Sequence, residues 1–261
     1  MAKETGGVWD ASIVGGVSAK QIIDAFYRPT GLNERWGEAR IKRCMPLIDP
    51  KPGEKILDLA CGFGTFTYLC AKRGACVVGI DLSEICLRGA VDACSQFELE
   101  SPSRYVFGDI TRLPFSDASF DKLISIDGFE HFTWEQKRFL VEEAWRVLKP
   151  NGRFIVYTPN IIPKATKVLR RNLIHLFTGR INRLTNTKDY LAVKEPTHIG
   201  MISPFAMRRL FKPGRFRVKF HYSVAYGRRK RNAWKILIQE KTPLLRDLLN
   251  GRIALTASRT G

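Results

Sequence analysis

Four residues in the first third of the chain have the types and spacing of a ligand site: Asp58, Gly62, Gly64 and Asp81. Gly62 and Gly64 let the backbone approach a ligand closely, and a helix start behind them offers free N–H groups. The third glycine of the dinucleotide fingerprint would fall at Thr67, so that fingerprint is incomplete. Asp58 stands inside an apolar run, four residues before Gly62. A carboxylate there would repel a phosphate and suits a cationic ligand. Asp81 ends the next apolar run, where it can accept both hydrogen bonds of a vicinal ribose diol. A second group, Asp127, Glu130 and His131, follows a later apolar run. Asp127 and His131 are four apart, so a helical turn would bring them onto one face, with the aspartate orienting the imidazole. His131 and Glu130 are therefore the candidate bases for taking a proton. His198 is a further candidate contact for a substrate, whereas His175 and His221 fall in apolar helix and strand patterns and read as structural.

The elements that would position these residues alternate in type. Residues 56–60 read as a buried strand, 65–73 as a helix closed by Gly74, and 75–81 as a second buried strand. That is a βαβ unit, and its crossover should be right-handed. Ser83 can cap a helix running to about residue 95. Residues 105–107 form a short third strand and 122–126 a fourth. Thr133 and Gln136 make a capping box for a helix of about 15 residues. Lys149-Pro150-Asn151-Gly152 stops it before a fifth strand at 153–158. Upstream, residues 18–48 read as two helices. Ser18 caps the first, which carries Ile22, Ile23, Phe26 and Tyr27 and breaks at Pro29 and Gly31. The second runs over 33–47. Residues 1–17 read as frayed.

The ordered set over about residues 53–160 resembles the class I S-adenosylmethionine-dependent methyltransferases, in their type 11, ubiquinone- and menaquinone-methylase-like branch. The resemblance rests on Lys-Ile-Leu-Asp-Leu-Ala-Cys-Gly-Phe-Gly at 55–64 and Asp81. It rests also on Gly108-Asp109-Ile110, Leu113-Pro114-Phe115 with Ser-Asp-Ala-Ser-Phe-Asp at 116–121, and Val-Leu-Lys-Pro-Asn-Gly-Arg-Phe at 147–154. It implies an α/β fold, a doubly wound, mostly parallel seven-stranded sheet with helices on both faces (Rossmann-like), completed by a C-terminal antiparallel hairpin. It implies an N-terminal helical cap at 1–48, with Tyr27, Arg28 and Trp36 near the pocket, and a cofactor-binding core at 49–160. A basic lid at 161–202 and a completion of the sheet at 203–261 follow, all within one structural domain. The implied cofactor is S-adenosyl-L-methionine, held by Asp58, Ala60, Gly62, Gly64, Asp81, Leu82, Asp109, Ile110 and Asp127. Asp109 would accept the adenine amino group, and the backbone beside it would read the ring. Tyr27 and His198 would meet the methyl acceptor. The tract Ser-Ile-Asp-Gly-Phe-Glu-His-Phe at 125–132 also resembles the cyclopropane fatty-acid synthase branch, in which the glutamate at the position of Glu130 helps hold a bicarbonate base. Phe63, where that branch has tryptophan, departs from it.

Charge separates the chain into two parts. Residues 161–261 hold 23 Lys and Arg against four acids, Asp189, Glu195, Glu240 and Asp247, or +19; the first 160 residues hold 20 bases and 21 acids, or −1. Such asymmetry points to a polyanionic surface, either anionic lipid or RNA. Residues 164–177 read as a basic amphipathic helix, and 178–197 as a polar flap. Ser203 caps a helix whose first residue is Pro204. Residues 216–226 and 233–239 alternate like two strands around a very basic tip at 227–232, and 243–249 reads as a terminal helix. No apolar run approaches the ~20 residues of a membrane span, and residues 1–10 lack a signal-peptide core. None of the six cysteines forms a C-x-x-C pair, so no metal is expected, and buried reduced thiols point to a cytoplasmic, reducing compartment. The expected function is methyl transfer to a small-molecule, lipid-like or isoprenoid acceptor, with the enzyme peripheral at a membrane. The rivals are an RNA methyltransferase, a cyclopropane-synthase-like lipid methylase, a non-catalytic cofactor-binding subunit and a nicotinamide dehydrogenase. Asp58 and the absent third glycine speak against the last.

Overall fold

The computed structural model describes residues 18–27, 34–99, 103–194, 197–212, 214–221 and 251–260. The expectations for residues 1–17, Arg28, the Trp36 side chain, the basic tip at 227–232, the strand at 233–239 and the helix at 243–249 lie outside the described residues. Among those described, the helices are α1 (Ala19–Ile22, continued by a π-turn Ile23–Tyr27), α2 (Glu34–Ile48), α3 (Thr65–Ala71), α4 (Glu84–Cys94), α5 (Trp134–Val147), α6 (Ile161–Phe177), α7 (Thr187–Lys194) and α8 (Pro204–Leu210). The strands are β1 (Lys55–Leu59), β2 (Cys76–Asp81), β3 (Ser103–Phe107), β4 (Phe120–Ile126), β5 (Leu148–Pro159), β6 (Phe216–Phe220) and β7 (Arg252–Arg259).

The seven strands make one sheet in the order β3-β2-β1-β4-β5-β7-β6. β1 to β5 are parallel, and β7 lies antiparallel between β5 and β6. The strand order reverses between β1 and β4, which opens a crevice at their carboxyl ends. Side-chain alternation along the strands divides the core into two faces. Leu57, Leu59, Leu123, Phe154, Val156 and Leu255 pack with Leu140, Ala144 and Val147 of α5 and Met207 and Leu210 of α8. Ile56, Ile124, Ile126 and Ile155 face the other way, against Cys44, Met45 and Ile48 of α2 and Phe66 and Cys70 of α3.

Local capping follows the sequence closely. Ser18 with Gln21, and Thr133 with Gln136, form capping boxes, and Ser83 and Ser203 each accept from a first-turn amide. Two features differ from expectation. Among the described residues β6 pairs antiparallel with β7, whose run Ile253, Ala254, Leu255, Thr256 and Ala257 is not among the strands expected from sequence. Much of the segment read as a polar flap is helical, with a 3-10 turn at Ile181–Arg183 followed by α7. The Asn172 side chain holds this segment along α6 by donating to the Thr185 carbonyl at 2.6 Å, and Asn186 caps α7 by accepting from the Asp189 amide at 2.8 Å.

β1, an inner strand flanked by β2 and β4, carries a carboxylate in its buried interior. Asp58 is 3% exposed, and the Thr67 hydroxyl of α3 donates to its Oδ2 at 2.8 Å. Burial outweighs the hydrogen bonds from Thr67 and pushes the carboxyl up to about 7. An acid whose pKa is raised on folding loses stabilising effect as pH rises from its unfolded value, near 4, to its folded one. Asp58→Asn removes that titration. Its stability relative to the parent should therefore rise between pH 4 and pH 7, by up to about 1.4 kcal/mol per pH unit, and level off above. Urea melts across that range check this, and parallel profiles for the two proteins would refute it.

Candidate active site

The first wall of the crevice is the turn between β1 and α3. Ala60, Gly62 and Gly64 all have left-handed φ, at 56°, 53° and 72°. A Cβ on Gly62 would meet nothing within 4 Å, so the backbone angle and not crowding selects glycine there. A Cβ on Gly64 would stand 2.5 Å from the Tyr105 hydroxyl, so both angle and space exclude one. Asp81, at the end of β2, fastens this turn to the next. Its Oδ2 accepts from the Gly62 amide at 2.8 Å and its Oδ1 from the Ser83 amide at 2.9 Å. Burial raises its pKa against the pull of these amides. Each oxygen keeps a further lone pair for a ligand hydroxyl.

The opposite wall is the tip of β4. Asp127 has φ 57° and its amide donates to the Tyr157 carbonyl at 2.8 Å. Its carboxylate lies between two guanidinium groups, Arg40 of α2 at 3.5 Å and the hydrogen-bonded Arg252 of β7. The 3-10 turn Phe129–His131 follows. Glu130 is 1% exposed; the Thr158 hydroxyl donates to its Oε2 at 2.9 Å, and the Gly200 amide donates to its backbone carbonyl at 2.9 Å. Burial, reinforced by the Asp127 carboxylate, holds the Glu130 pKa above the ordinary carboxylate range. His131 Nδ1 lies 2.9 Å from the Thr197 carbonyl. A carbonyl only accepts, so Nδ1 carries the proton and Nε2 carries the lone pair. Burial lowers the His131 pKa, which keeps the ring neutral. His198 Nε2 lies 4.0 Å from Glu130 Oε1, and its ring meets that of His131 edge to face at 5.2 Å. The buried Lys137 ammonium donates to the Gly200 carbonyl at 2.7 Å and to the Phe132 carbonyl, tying the segment that bears His198 to α5.

Between these walls lies a cavity of about 320 Å³. Of the residues named from sequence, Ala60, Gly62, Asp81, Leu82, Ile110, Asp127, Glu130, His131 and His198 line it. Four do not. Asp58 lies in β1 bonded to Thr67, and Gly64 is the left-handed N-cap of α3. Asp109 is exposed and turns its Oδ1 to the Thr111 amide and hydroxyl, each at 2.8 Å. Tyr27 points into the core, with its hydroxyl donating to the Phe63 carbonyl at 2.8 Å and its ring stacked on Tyr68 at 4.6 Å. From that segment Phe26 reaches the cavity instead. Arg40, Arg252, Cys61 and Cys86 also line it and were not foreseen. The lining suits a ligand with an apolar ring near Phe63, Cys86 and Ile110, a diol at Asp81 and a zwitterion at the Arg40–Asp127–Arg252 cluster. Asp127 Oδ2 is buried and makes no hydrogen bond, as fits an oxygen that would take one from a ligand ammonium group.

Comparison with known proteins gives the same picture. Residues 56–152 match the family described as a methyltransferase domain. The demethylmenaquinone methyltransferase of Corynebacterium glutamicum is 35% identical over 164 residues, covering 60% of this chain and 67% of that protein. The 24-methylenesterol C-methyltransferase 2 of Oryza sativa is 36% identical over 117 residues, covering 44% of this chain and 32% of that protein. The chain thus spans between about a third and two thirds of the length of these curated relatives. The crystal structure of the PH0226 protein from Pyrococcus horikoshii aligns with a TM-score of 0.57 at 22% identity, covering 92% of this chain and 96% of that one, a likeness of fold. With the glycine turn, the acidic end of β2 and the tip of β4 in one crevice, the chain belongs to the class I S-adenosylmethionine-dependent methyltransferases, in their ubiquinone- and menaquinone-methylase-like branch.

Proposed function

We propose that this chain transfers a methyl group from S-adenosylmethionine to a lipid-like or isoprenoid acceptor at the surface of an anionic membrane. The cofactor supplies an electrophilic methyl group on a sulfonium. Asp81 would hold the ribose, Phe63, Cys86 and Ile110 the adenine, and Arg40, Asp127 and Arg252 the amino-acid end. Methyl transfer needs alignment above all, plus removal of a proton where the acceptor is a hydroxyl. Glu130, His131 and His198 are the groups beside the cavity that can activate such an oxygen.

The observation that carries the acceptor class is the surface of α6. Val168 is its only fully buried residue. Leu169, Leu173, Ile174, Leu176 and Phe177 are 45–89% exposed, and Lys167, Arg170 and Arg171 flank them. A helix apolar on its outer face and flanked by cations suits the interface of an anionic bilayer. α6 starts directly after β5, whose Thr158 touches Glu130, so the N-terminal end of the helix stands near the cavity wall. The names of two relatives, which specify a demethylmenaquinone and a methylenesterol, support an apolar acceptor. Among the described residues no helix is long and apolar enough to cross a membrane.

Three measurements test this reading. Calorimetry should show S-adenosylhomocysteine binding in the micromolar range, near −8 kcal/mol. Asp81→Ala should weaken it by roughly 1–3 kcal/mol, because two ligand hydroxyls lose their acceptor; preferential binding of NAD would sink the cofactor assignment. With an acceptor in hand, His131→Ala should lower turnover by roughly 10²-fold or more, and full activity would return His131 to a structural role. The parent should sediment with anionic but not neutral vesicles, and Leu173→Asp and Arg170→Glu should each weaken this in folded protein. Absence of vesicle binding at low salt, together with tight, salt-sensitive tRNA binding, would transfer the case to an RNA acceptor.

A further inference from the structure

We propose that Glu130, His131 and His198 bind one divalent transition-metal cation at the acceptor end of the cavity. One donor atom from each of the three lies within 4.8 Å of the other two, and the Glu130–His198 approach is 4.0 Å. Donors around a tetrahedral cation at ~2.0–2.1 Å stand roughly 3.4 Å apart. Closing the site therefore needs the separations to shrink by up to about 1.4 Å, shared between side chains of two neighbouring segments. The three donors come from the turn after β4 and from 197–202, and both segments line the crevice.

The surroundings of the donors separate this cluster from a chance grouping. A metal-bound histidine ordinarily donates its other ring N–H to a carbonyl or carboxylate. His131 does so, with Nδ1–H directed to the Thr197 carbonyl and Nε2 left as a donor atom. A ligating carboxylate is ordinarily held by a hydrogen bond on its second oxygen, and the Thr158 hydroxyl holds Glu130 Oε2 while Oε1 faces His198. Asp127, the next carboxylate, is taken up by Arg40 and Arg252 and does not compete. The Lys137 ammonium joins the His198 segment to the turn after β4 by donating to the Gly200 and Phe132 carbonyls. Two imidazoles and one carboxylate favour zinc, iron, cobalt or manganese over calcium and magnesium, which prefer oxygen. Three protein ligands leave positions open on the cavity side, as in catalytic rather than structural sites.

The chemical consequence rests on the proposed placement of the acceptor, although the metal site itself does not. A hydroxyl oxygen of the acceptor would take an open position and lose its proton to water more readily. That oxygen then forms the new bond to the methyl carbon, the carbon–sulfur bond breaks with its electron pair retained on sulfur, and a neutral thioether leaves. The cation would also fix the acceptor's oxygen in line with the methyl group.

Cobalt(II) and zinc, added without acceptor to the full-length protein after chelator treatment, test the site directly. The expected result is one equivalent bound, with visible cobalt absorption of a low-coordinate nitrogen–oxygen site and no thiolate charge-transfer band. His198→Ala and Glu130→Gln should each weaken binding at least 100-fold, whereas a protein with Cys61 and Cys86 both changed to serine should bind as the parent does. Glu130→Gln keeps the side-chain shape, and circular-dichroism melts establish that each variant is folded. Binding absent from the parent, unchanged in both ligand variants, or lost with the cysteines would overturn the proposal. Full methyl transfer by chelator-treated protein would overturn the metal's role and leave the methyltransferase reading intact. Stoichiometric cobalt in a protein that fails to bind S-adenosylhomocysteine would do the reverse.

Discussion

Four carboxylates, Asp58, Asp81, Asp127 and Glu130, are buried or nearly so at the carboxyl ends of the parallel strands, and the local structure is arranged around keeping each of them bonded. An unpaired buried charge is costly enough to be neutralised or expelled. Each acid here has a different solution. Asp58 takes a hydroxyl from the helix that follows its own strand. Asp81 takes two backbone amides, one from each of the two turns that it joins. Asp127 takes two guanidinium groups from opposite ends of the chain. Glu130 takes a hydroxyl from β5 and stands beside an imidazole. These solutions also order the crevice, since the groups that satisfy the acids belong to the segments that form its walls.

They also explain which parts of the site were legible in the sequence. Asp81 and Gly62 are joined through one βαβ unit, and the spacing of strand, glycine turn and strand places them together without knowledge of the rest of the fold. Glu130 and His131 were legible for the same reason, as the first residues beyond a buried strand. Arg40 and Arg252 were not. Nothing near either in sequence marks it, and their meeting at Asp127 depends on where α2 packs and on β7 entering the sheet beside β5. β7 is hard to read from sequence because its apolar run is short and an alternating pattern upstream offers an earlier hairpin. Asp58 is the opposite case, a residue marked in sequence that stands outside the cavity lining. Its type and position suggested a ligand contact, yet the side chain points at Thr67, because alternation along a strand buried on both faces can direct a polar residue inward as readily as toward the crevice.

The charge asymmetry and the exposed face of α6 belong together. Elsewhere in the molecule, amphipathic segments bury their apolar stripes: α5 contributes Leu140, Val141, Ala144 and Val147 to the core and α2 contributes Cys44, Met45 and Ile48. α6 is longer than either, yet Val168 is its one buried residue and belongs to none of these core clusters. Its partner in packing is α7 and the turn before it, reached through Asn172 and through Arg171 over the Tyr190 ring at 4.8 Å. Both contacts are polar or cationic, so they hold the helix in place without covering its leucines. The apolar surface is thus left outward by the packing that does exist.

The connection between that surface and the site passes through one buried lysine. Lys137 is 1% exposed, with burial lowering its pKa to about 8. Its ammonium is satisfied by two backbone carbonyls and lies over the Phe129 ring at 5.5 Å. One of those carbonyls belongs to Gly200, whose amide in turn bonds the Glu130 carbonyl. Two residues further on, Ile202 bridges Asn160, the cap of α6. The turn that carries Glu130 and His131, the segment that carries His198, and the first residue before α6 are therefore linked by consecutive hydrogen bonds. Asp81, on the opposite wall of the cavity, is fastened independently of this chain of bonds by the amides of Gly62 and Ser83.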